Sequence, residues 1–154
     1  LFDVDLSSAT VITMFLTPDI NLALRERLLE LRPGTRIVSN TWDMSDWEAD
    51  EVAVIDPCQS WCTSLLWNVP ARVQGIWRTE QGEFSLQQRF QVVSGELHAD
   101  ENSFPIEDGR LHGDRISFRL GDRLYSGQVV GASIKGTSMA GDQTFVWAAE
   151  RVKP

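Results

Sequence analysis

Residues 10–46 restrict the possible folds of this chain more than any other stretch. Residues 10–16 are a continuous apolar and β-branched run, which is typical of a strand buried on both faces of a parallel sheet. Residues 20–32 then repeat apolar side chains at helical spacing, and a Pro-Gly pair ends the helix. Residues 36–39 are predicted as a second short buried strand. This strand–helix–strand order predicts a parallel pair of strands with a right-handed crossover.

A functional site is expected where these two strands end, because ligands of open α/β sheets bind at the carboxyl ends of strands. Thr17 and Pro18 suit the start of the helix, and Asp19 lies near the positive end of its dipole. Helix capping is the simpler interpretation of Asp19, and catalysis is the alternative. For Asn40, Trp42 and Asp43, at the end of the second strand, a structural role and a functional role are both open. The candidate substrate-side residues are Thr17, Pro18, Asp19, Asn21, Asn40, Trp42 and Asp43.

A series of short motifs runs through the same stretch: Ala-Thr-Val-Ile-Thr, Leu-Thr-Pro, Asn-Leu-x-Leu, Leu-Arg-Pro-Gly-Thr-Arg-Ile-Val-Ser and Trp-Asp-Met-Ser-Asp-Trp. In this order they resemble the C-terminal part of class I S-adenosylmethionine-dependent methyltransferases, in a bacterial branch related to protein-lysine methyltransferases. The resemblance covers residues 2–47, with a weaker similarity at residues 67–71. It implies that the two strands and the helix are the fourth strand, the helix after it and the fifth strand of that fold.

The resemblance implies a parent enzyme that transfers a methyl group from S-adenosylmethionine to an acceptor, with protein lysine as the candidate. In that family, a Gly-rich loop and acidic residues that precede the fourth strand hold the cofactor. No Gly-x-Gly-x-x-Gly occurs in the chain, so we assign it no cofactor-binding residue. We therefore expect a fragment that begins after the third strand of the fold. By itself it should neither bind the cofactor in the family's way nor be active.

Methyl transfer to a lysine amine needs proximity, orientation and an acceptor that has lost its proton. Oxygen-bearing side chains at the strand ends can hold such an acceptor. Asp19, Asn21 and Asp43 are the candidates for this role, and no residue is assigned as catalytic.

The periodicity of the sequence changes near residue 73. Apolar and polar side chains alternate in residues 84–92, 115–120 and 145–150, and turn residues separate the segments. This pattern predicts an antiparallel meander that forms a small barrel or a sandwich, with Trp77 in its core. We therefore predict an α+β chain. Residues 1–72 would form the partial Rossmann-like methyltransferase sheet, and residues 73–154 would form the β domain.

The charge of the chain limits its partners and its location. The net charge of −8 disfavours a nucleic-acid or anionic-membrane surface, which needs clustered Lys and Arg. No stretch approaches the ~20 apolar residues of a membrane helix. We therefore expect no nucleic-acid or membrane partner. A cytoplasmic location is the default, and an exported or periplasmic form is the alternative.

The cysteine and histidine residues do not indicate a metal or redox site. Cys58 and Cys62 are separated by four positions, and within a helix a disulfide between them would be strained, so we expect two unpaired thiols. His98 and His112 have no further ligand-type residues at metal-site spacing, so we expect both at the surface. No metal site is predicted.

Two function classes stay open at this stage. The first is the methyltransferase fragment, and the second is a non-enzymatic β-barrel-like binding module that carries a remnant methyltransferase segment. In either case, one predicted helix is too little to cover two buried strands. We therefore expect exposed apolar surface and self-association through the methyltransferase half.

Overall fold

The computed structural model describes residues 3–152. The chain divides into two compact units, residues 1–70 and residues 71–154. Among the described residues, no helix is long and apolar enough to cross a membrane.

The first unit is a four-stranded sheet with one helix. Its strand order is β1-β2-β4-β3, and β1 pairs with β2 in parallel while the other two pairings are antiparallel. The predicted strand–helix–strand unit with its parallel pair is therefore confirmed. The elements are β1 (Val11–Met14), α1 (Pro18–Leu29), β2 (Arg36–Asn40), β3 (Glu51–Val54) and β4 (Thr63–Asn68).

Large apolar side chains from distant parts of the sequence form the interior of this unit. The helix α1 buries Leu24 and Leu28, and Ile37 of β2 is fully buried. The rings of Trp47 and Trp67 lie 6.1 Å apart, and the indole N–H of Trp67 donates a hydrogen bond to the Trp47 carbonyl oxygen at 2.9 Å. Burying an indole without a partner for its N–H would cost free energy, so this bond allows Trp67 to fill the core.

The second unit is a β-barrel. Its strand order is β6-β5-β13-β12-β11-β10-β9-β7, and the pairing of β6 with β7 closes a ring of eight strands, with β8 added beside β7. The elements are β5 (Gly75–Thr79), β6 (Gly82–Arg89), β7 (Val92–Ala99), β8 (Asn102–Pro105), β9 (Glu107–His112), β10 (Arg115–Leu120), β11 (Arg123–Val130), β12 (Ser133–Ala140) and β13 (Gln143–Arg151).

Tight turns and alternating side chains explain why this region forms a barrel. The last four hairpins each begin their turn with a glycine at positive φ, as at Gly113 and Gly131. A glycine at that position suits the two-residue turns whose twist matches the flanking strands. Inward-facing residues such as Trp77, Phe118 and Ile134 fill the interior. The prediction that Trp77 lies in the core is confirmed.

Gln88 interrupts the apolar face of β6 because it holds the segment that enters the barrel. Its side-chain oxygen accepts a hydrogen bond from the Val73 N–H at 2.7 Å. Its amide nitrogen donates to the carbonyl oxygens of Ala71 at 2.8 Å and Phe90 at 2.7 Å. The polar side chain is thus satisfied at both ends, which allows it to lie among apolar neighbours.

The predicted fold class is wrong. The described residues are mostly strand with a single helix, and the largest element is a closed eight-stranded β-barrel, so the chain is not an α+β protein built on a Rossmann-like sheet. The strand–helix–strand unit is present, but two antiparallel strands complete its sheet. Of the two forms proposed for the β region, the barrel is the one that forms.

Candidate functional site

The predicted substrate-side residues follow the ends of β1 and β2 or lie in the first turns of α1. Because β1 and β2 are parallel, these ends lie at the same edge of the sheet. Residues 15–19 leave β1 and enter the helix, and residues 41–47 leave β2 as an irregular loop. We call residues 41–47 the β2 loop.

Asn21 fixes the first part of the β2 loop on α1. Its fully buried amide nitrogen donates to the carbonyl oxygens of Trp42 at 3.1 Å and Asp43 at 3.2 Å. It also lies 3.3 Å from the hydroxyl oxygen of Ser39, and that hydroxyl donates to the Trp42 carbonyl oxygen at 2.6 Å. The side-chain oxygen of Asn21 is buried and has no hydrogen-bond partner among the described residues. A buried acceptor without a hydrogen-bond donor costs free energy, so a donor group placed beside this oxygen would stabilise the site.

Arg25 fixes the second part of the β2 loop. Its guanidinium donates to the Met44 carbonyl oxygen at 3.2 Å and pairs with the Asp46 carboxylate at 2.5 Å. Within the loop, Thr41 and Ser45 have φ angles of 68° and 58°. Non-glycine residues reach this left-handed region at a cost, which is offset by hydrogen bonds from the Thr41 N–H to the Thr63 carbonyl oxygen at 2.7 Å and from the Ser45 N–H to the Asp43 carboxylate at 3.0 Å.

The start of α1 is exposed and its side chains are not used for capping. Thr17 occupies the N-cap position, but its hydroxyl makes no capping hydrogen bond. Pro18 is the first helical residue, and Asp19 lies in the first turn, where a carboxylate favours the helix dipole. All three side chains face solvent and are accessible to a bound group.

An exposed aromatic cluster, made of Phe15, Trp42 and Trp61, lies at the same edge of the sheet. The ring of Trp61 is 5.6 Å from Phe15 and 6.1 Å from Trp42. The side-chain nitrogen of Asn40 donates to the Trp61 carbonyl oxygen at 2.9 Å, which fixes the backbone of Trp61 beside β2. Three exposed aromatic rings in contact are unusual on a surface that binds nothing.

The prediction of two unpaired thiols is wrong. Cys58 and Cys62 form a disulfide, with their Cα atoms 5.8 Å apart. The segment between them is irregular, so the argument from helix geometry does not apply. The disulfide closes the loop that carries Trp61.

The structure brings some of the predicted site residues together and not others. Hydrogen bonds join Asn21 to the backbone of Trp42 and Asp43, and Trp61 contacts both Asn40 and Trp42. The β2 loop is bound to α1 through Asn21 and Arg25, whereas Thr17, Pro18 and Asp19 are exposed at the beginning of the helix. Phe15, Arg25, Ser39 and Trp61 were missed by the sequence reasoning.

The histidines and the N-terminal aspartates play no part in this edge of the sheet. His98 and His112 are exposed on the barrel, as predicted. Asp5 accepts a hydrogen bond from the Ser7 N–H at 2.9 Å, and this bond lowers the pKa of its carboxyl. Among the residues that the structure describes, no three metal-ligating side chains lie together.

Part of this chain is similar in sequence to a known methyltransferase. No protein-family model matches it. The chain is 45% identical over 56 residues to a protein-lysine N-methyltransferase of Saccharolobus islandicus (strain REY15A), which covers 36% of the chain and 35% of that protein. The chain thus spans about a third of the length of this curated relative.

A solved structure is also similar, the RNA methyltransferase from Salinibacter ruber in complex with S-adenosyl-L-homocysteine. The identity is 37%, over 47% of this chain and 45% of that chain, with a TM-score of 0.42. The sequence match to the protein-lysine N-methyltransferase shows distant homology to methyltransferases over part of the chain. The bacterial origin and the placement at the C-terminal end of the enzyme stay predictions.

Replacing Asn21 with Asp tests whether its amide nitrogen holds the β2 loop. The substitution puts a carboxylate oxygen against the carbonyl oxygens of Trp42 and Asp43. We expect Asn21→Asp to lower the free energy of unfolding by about 3 kcal/mol, because a buried charge loses its donated bonds. Urea unfolding measures the change. The same substitution at the exposed Asn102 is the control and should have little effect, whereas equal losses in the two variants would contradict this role of Asn21.

Proposed function

We propose that residues 1–70 are part of an S-adenosylmethionine-dependent methyltransferase and that the ends of β1 and β2 form the methyl-acceptor side of its site. The observation that carries this proposal is the 45% identity over 56 residues to a protein-lysine methyltransferase. The chain contains no Gly-x-Gly-x-x-Gly, so we derive no cofactor contact from it. S-adenosylmethionine enters the proposal as the methyl donor of the parent enzyme.

The chemistry of this edge of the sheet suits a lysine side chain as the acceptor. Asp19 and Asp43 present exposed carboxylates, and Trp42 and Trp61 present aromatic rings. A lysine ammonium is attracted by both kinds of group, and its aliphatic chain packs well on an aromatic surface. The chain's own residues would thus bind and orient the acceptor.

A second candidate function is a non-enzymatic binding module. The observation that favours it is the closed barrel of residues 71–154, which has a hydrophobic core of its own. A module that only binds a partner requires no methyl transfer. The two candidates are therefore separated by whether the full gene product transfers methyl groups.

Transfer of a labelled methyl group tests the first candidate. We expect the full gene product that contains these residues to methylate poly-L-lysine from tritiated S-adenosylmethionine. Asp43→Asn should lower kcat/KM about tenfold, the effect of losing one charged contact to the acceptor. Asp3→Asn, which changes an exposed carboxylate away from the strand ends, is the matched control.

The acceptor role of the β2 loop and the methyltransferase activity each have an outcome that would contradict them. Equal activity of the Asp43 and Asp3 variants would contradict the acceptor role of the β2 loop. A full gene product that transfers no methyl group would favour the binding module.

We also expect the 154 residues by themselves to show no stoichiometric binding of S-adenosylmethionine in calorimetry. Tight binding would contradict our assignment of no cofactor residues to them.

We further propose that the first unit self-associates through β3. This strand lies at the edge of its sheet, and all four of its residues are exposed. Val54 is 68% exposed, and Ile55, which follows the strand, is 65% exposed. An apolar edge strand with unpaired backbone groups invites pairing with a second copy. The net charge of −8 gives no support for a nucleic-acid or anionic-membrane partner.

Placing a lysine on this edge should abolish the association. We expect the protein to sediment as a dimer or larger species at micromolar concentration and Val54→Lys to sediment as a monomer. Val130→Lys is the matched control, because Val130 is 67% exposed on the barrel. It should associate like the unmodified protein. A monomeric unmodified protein would contradict the proposal.

The compartment of the protein is open between the cytoplasm and an exported form. The Cys58–Cys62 disulfide favours an oxidising compartment, where such bonds persist.

A further inference from the structure

The wall of the barrel is incomplete on one side of β13. On its other side, β13 pairs with β12 through the whole length of that strand, from Ser133 to Ala140. Among residues 3–152, its pairing with β5 joins only Glu150 to Arg78 and Arg151 to Trp77. Residues 143–149 of β13 therefore have no ladder partner in β5. The wall opens there, next to the turn that joins β5 to β6.

A cavity of about 270 Å³ occupies this opening. Glu80 and Gln81 of the β5–β6 turn line one side, and Trp147 and Ala148 of β13 line the other. We call it the seam cavity. It lies entirely within residues 71–154 and is independent of the methyltransferase-related sheet.

Aromatic rings form the inner surface of the seam cavity. The ring of Trp147 lies 6.2 Å from Phe84 and 5.5 Å from Tyr125, in edge-to-face geometry. The indole N–H of Trp147 donates to the carbonyl oxygens of Ser126 and Thr137, at 3.0 and 3.1 Å. The cavity therefore presents aromatic surface whose position is fixed before a ligand arrives, which lowers the entropic cost of binding.

Gly127 makes room for the indole ring. Gly127, Gly136 and Trp147 are paired in one row across β11, β12 and β13. A Cβ atom on Gly127 would lie 3.1 Å from the Trp147 ring. The missing side chain at Gly127 thus lets the ring approach β11, where its N–H reaches the Ser126 carbonyl oxygen.

The polar groups of the seam cavity lie on its outer side. The Tyr125 hydroxyl donates a hydrogen bond to the side-chain oxygen of Gln81 at 3.3 Å. Glu80 is exposed and is the only charged side chain among the described residues that line the cavity. A carboxylate beside aromatic rings favours a cation, because both the charge and the ring quadrupole attract positive groups.

The size of the seam cavity limits the ligand. An apolar cavity of about 150 Å³ in a protein holds benzene. A cavity nearly twice that volume, with an open side, accommodates a bicyclic ring with a short side chain. Its volume lies just below the range for ligand pockets, which is about 300–1,000 Å³.

We propose that the seam cavity binds a small organic cation that carries a flat aromatic ring. The ring packs against Phe84, Tyr125 and Trp147, and the ammonium group faces the Glu80 carboxylate. This proposal does not depend on the methyltransferase function, because it rests on the barrel. A neutral or an anionic ligand with the same ring is the competing possibility, and the experiment separates them.

Calorimetric titration of the full chain with three indoles tests the proposal. Tryptamine carries the ammonium, indole carries no charge, and indole-3-acetate carries a carboxylate. We expect tryptamine to bind about tenfold more tightly than indole-3-acetate, the effect of one favourable cation contact. Indole should bind with an intermediate affinity. Equal affinities for tryptamine and indole-3-acetate, or no binding of tryptamine, would overturn the proposal.

Two variants locate the bound cation and its ring. Glu80→Gln should weaken tryptamine binding about two- to fivefold, as expected for an exposed charge pair, and leave indole binding unchanged. Glu26→Gln, at an exposed position of α1 outside the barrel, is the matched control. Ala148→Phe adds a ring to the cavity wall and should abolish the binding of both molecules, whereas Ala132→Phe in another turn should not. Retained binding in the Ala148 variant would place the ligand elsewhere and overturn the proposal.

Discussion

The arrangement of the candidate acceptor site depends on the carboxamide of Asn21. One buried amide nitrogen holds two consecutive carbonyl oxygens of the β2 loop, and Ser39 adds its hydroxyl to the same group of acceptors. The left-handed backbone at Thr41 is held from the other side, because its N–H donates to the Thr63 carbonyl oxygen at 2.7 Å. The helix therefore does more than cover the sheet. It fixes the position at which Trp42 and Asp43 leave β2.

The second unit depends on a different constraint, the closure of a sheet on itself. Closure removes the exposed strand edges that an open sheet would present. At the short β13–β5 seam, the Arg151 guanidinium lies 4.4 Å from the centre of the Trp77 ring and donates to the carbonyl oxygens of Arg72 and Gln74. Burial lowers the pKa of this guanidinium. The seam is thus held by a few strong contacts rather than by a long ladder, and this leaves room for the seam cavity.

Local periodicity predicted single elements well and the overall class poorly. Residues 10–39 carried enough pattern to predict two parallel strands and the helix between them, and the alternation after residue 73 predicted the β meander. The predicted fold class was wrong because the periodicity of a sequence indicates the type of one helix or strand at a time. Which strands pair is decided by contacts between residues that are distant in the sequence, such as Trp47 with Trp67 or β5 with β13.

The same limit applies to the candidate site. Trp42 and Asp43 could be found because they follow a strand end. Phe15 and Trp61 could not, since their contact joins residues far apart in the sequence. The position of Trp61 between two cysteines was the available signal. The prediction of two unpaired thiols conceals this signal, because Cys58 and Cys62 instead form a disulfide that closes the loop.

The central claim is that the ends of β1 and β2 form the acceptor side of a methyltransferase site. A crystal structure of the full gene product with S-adenosyl-L-homocysteine tests it most directly. We predict that the sulfur atom of the bound molecule faces the edge of the sheet where residues 17–19 and residues 41–43 lie. A sulfur atom that faces another surface, with the β2 loop turned away from it, would contradict the claim.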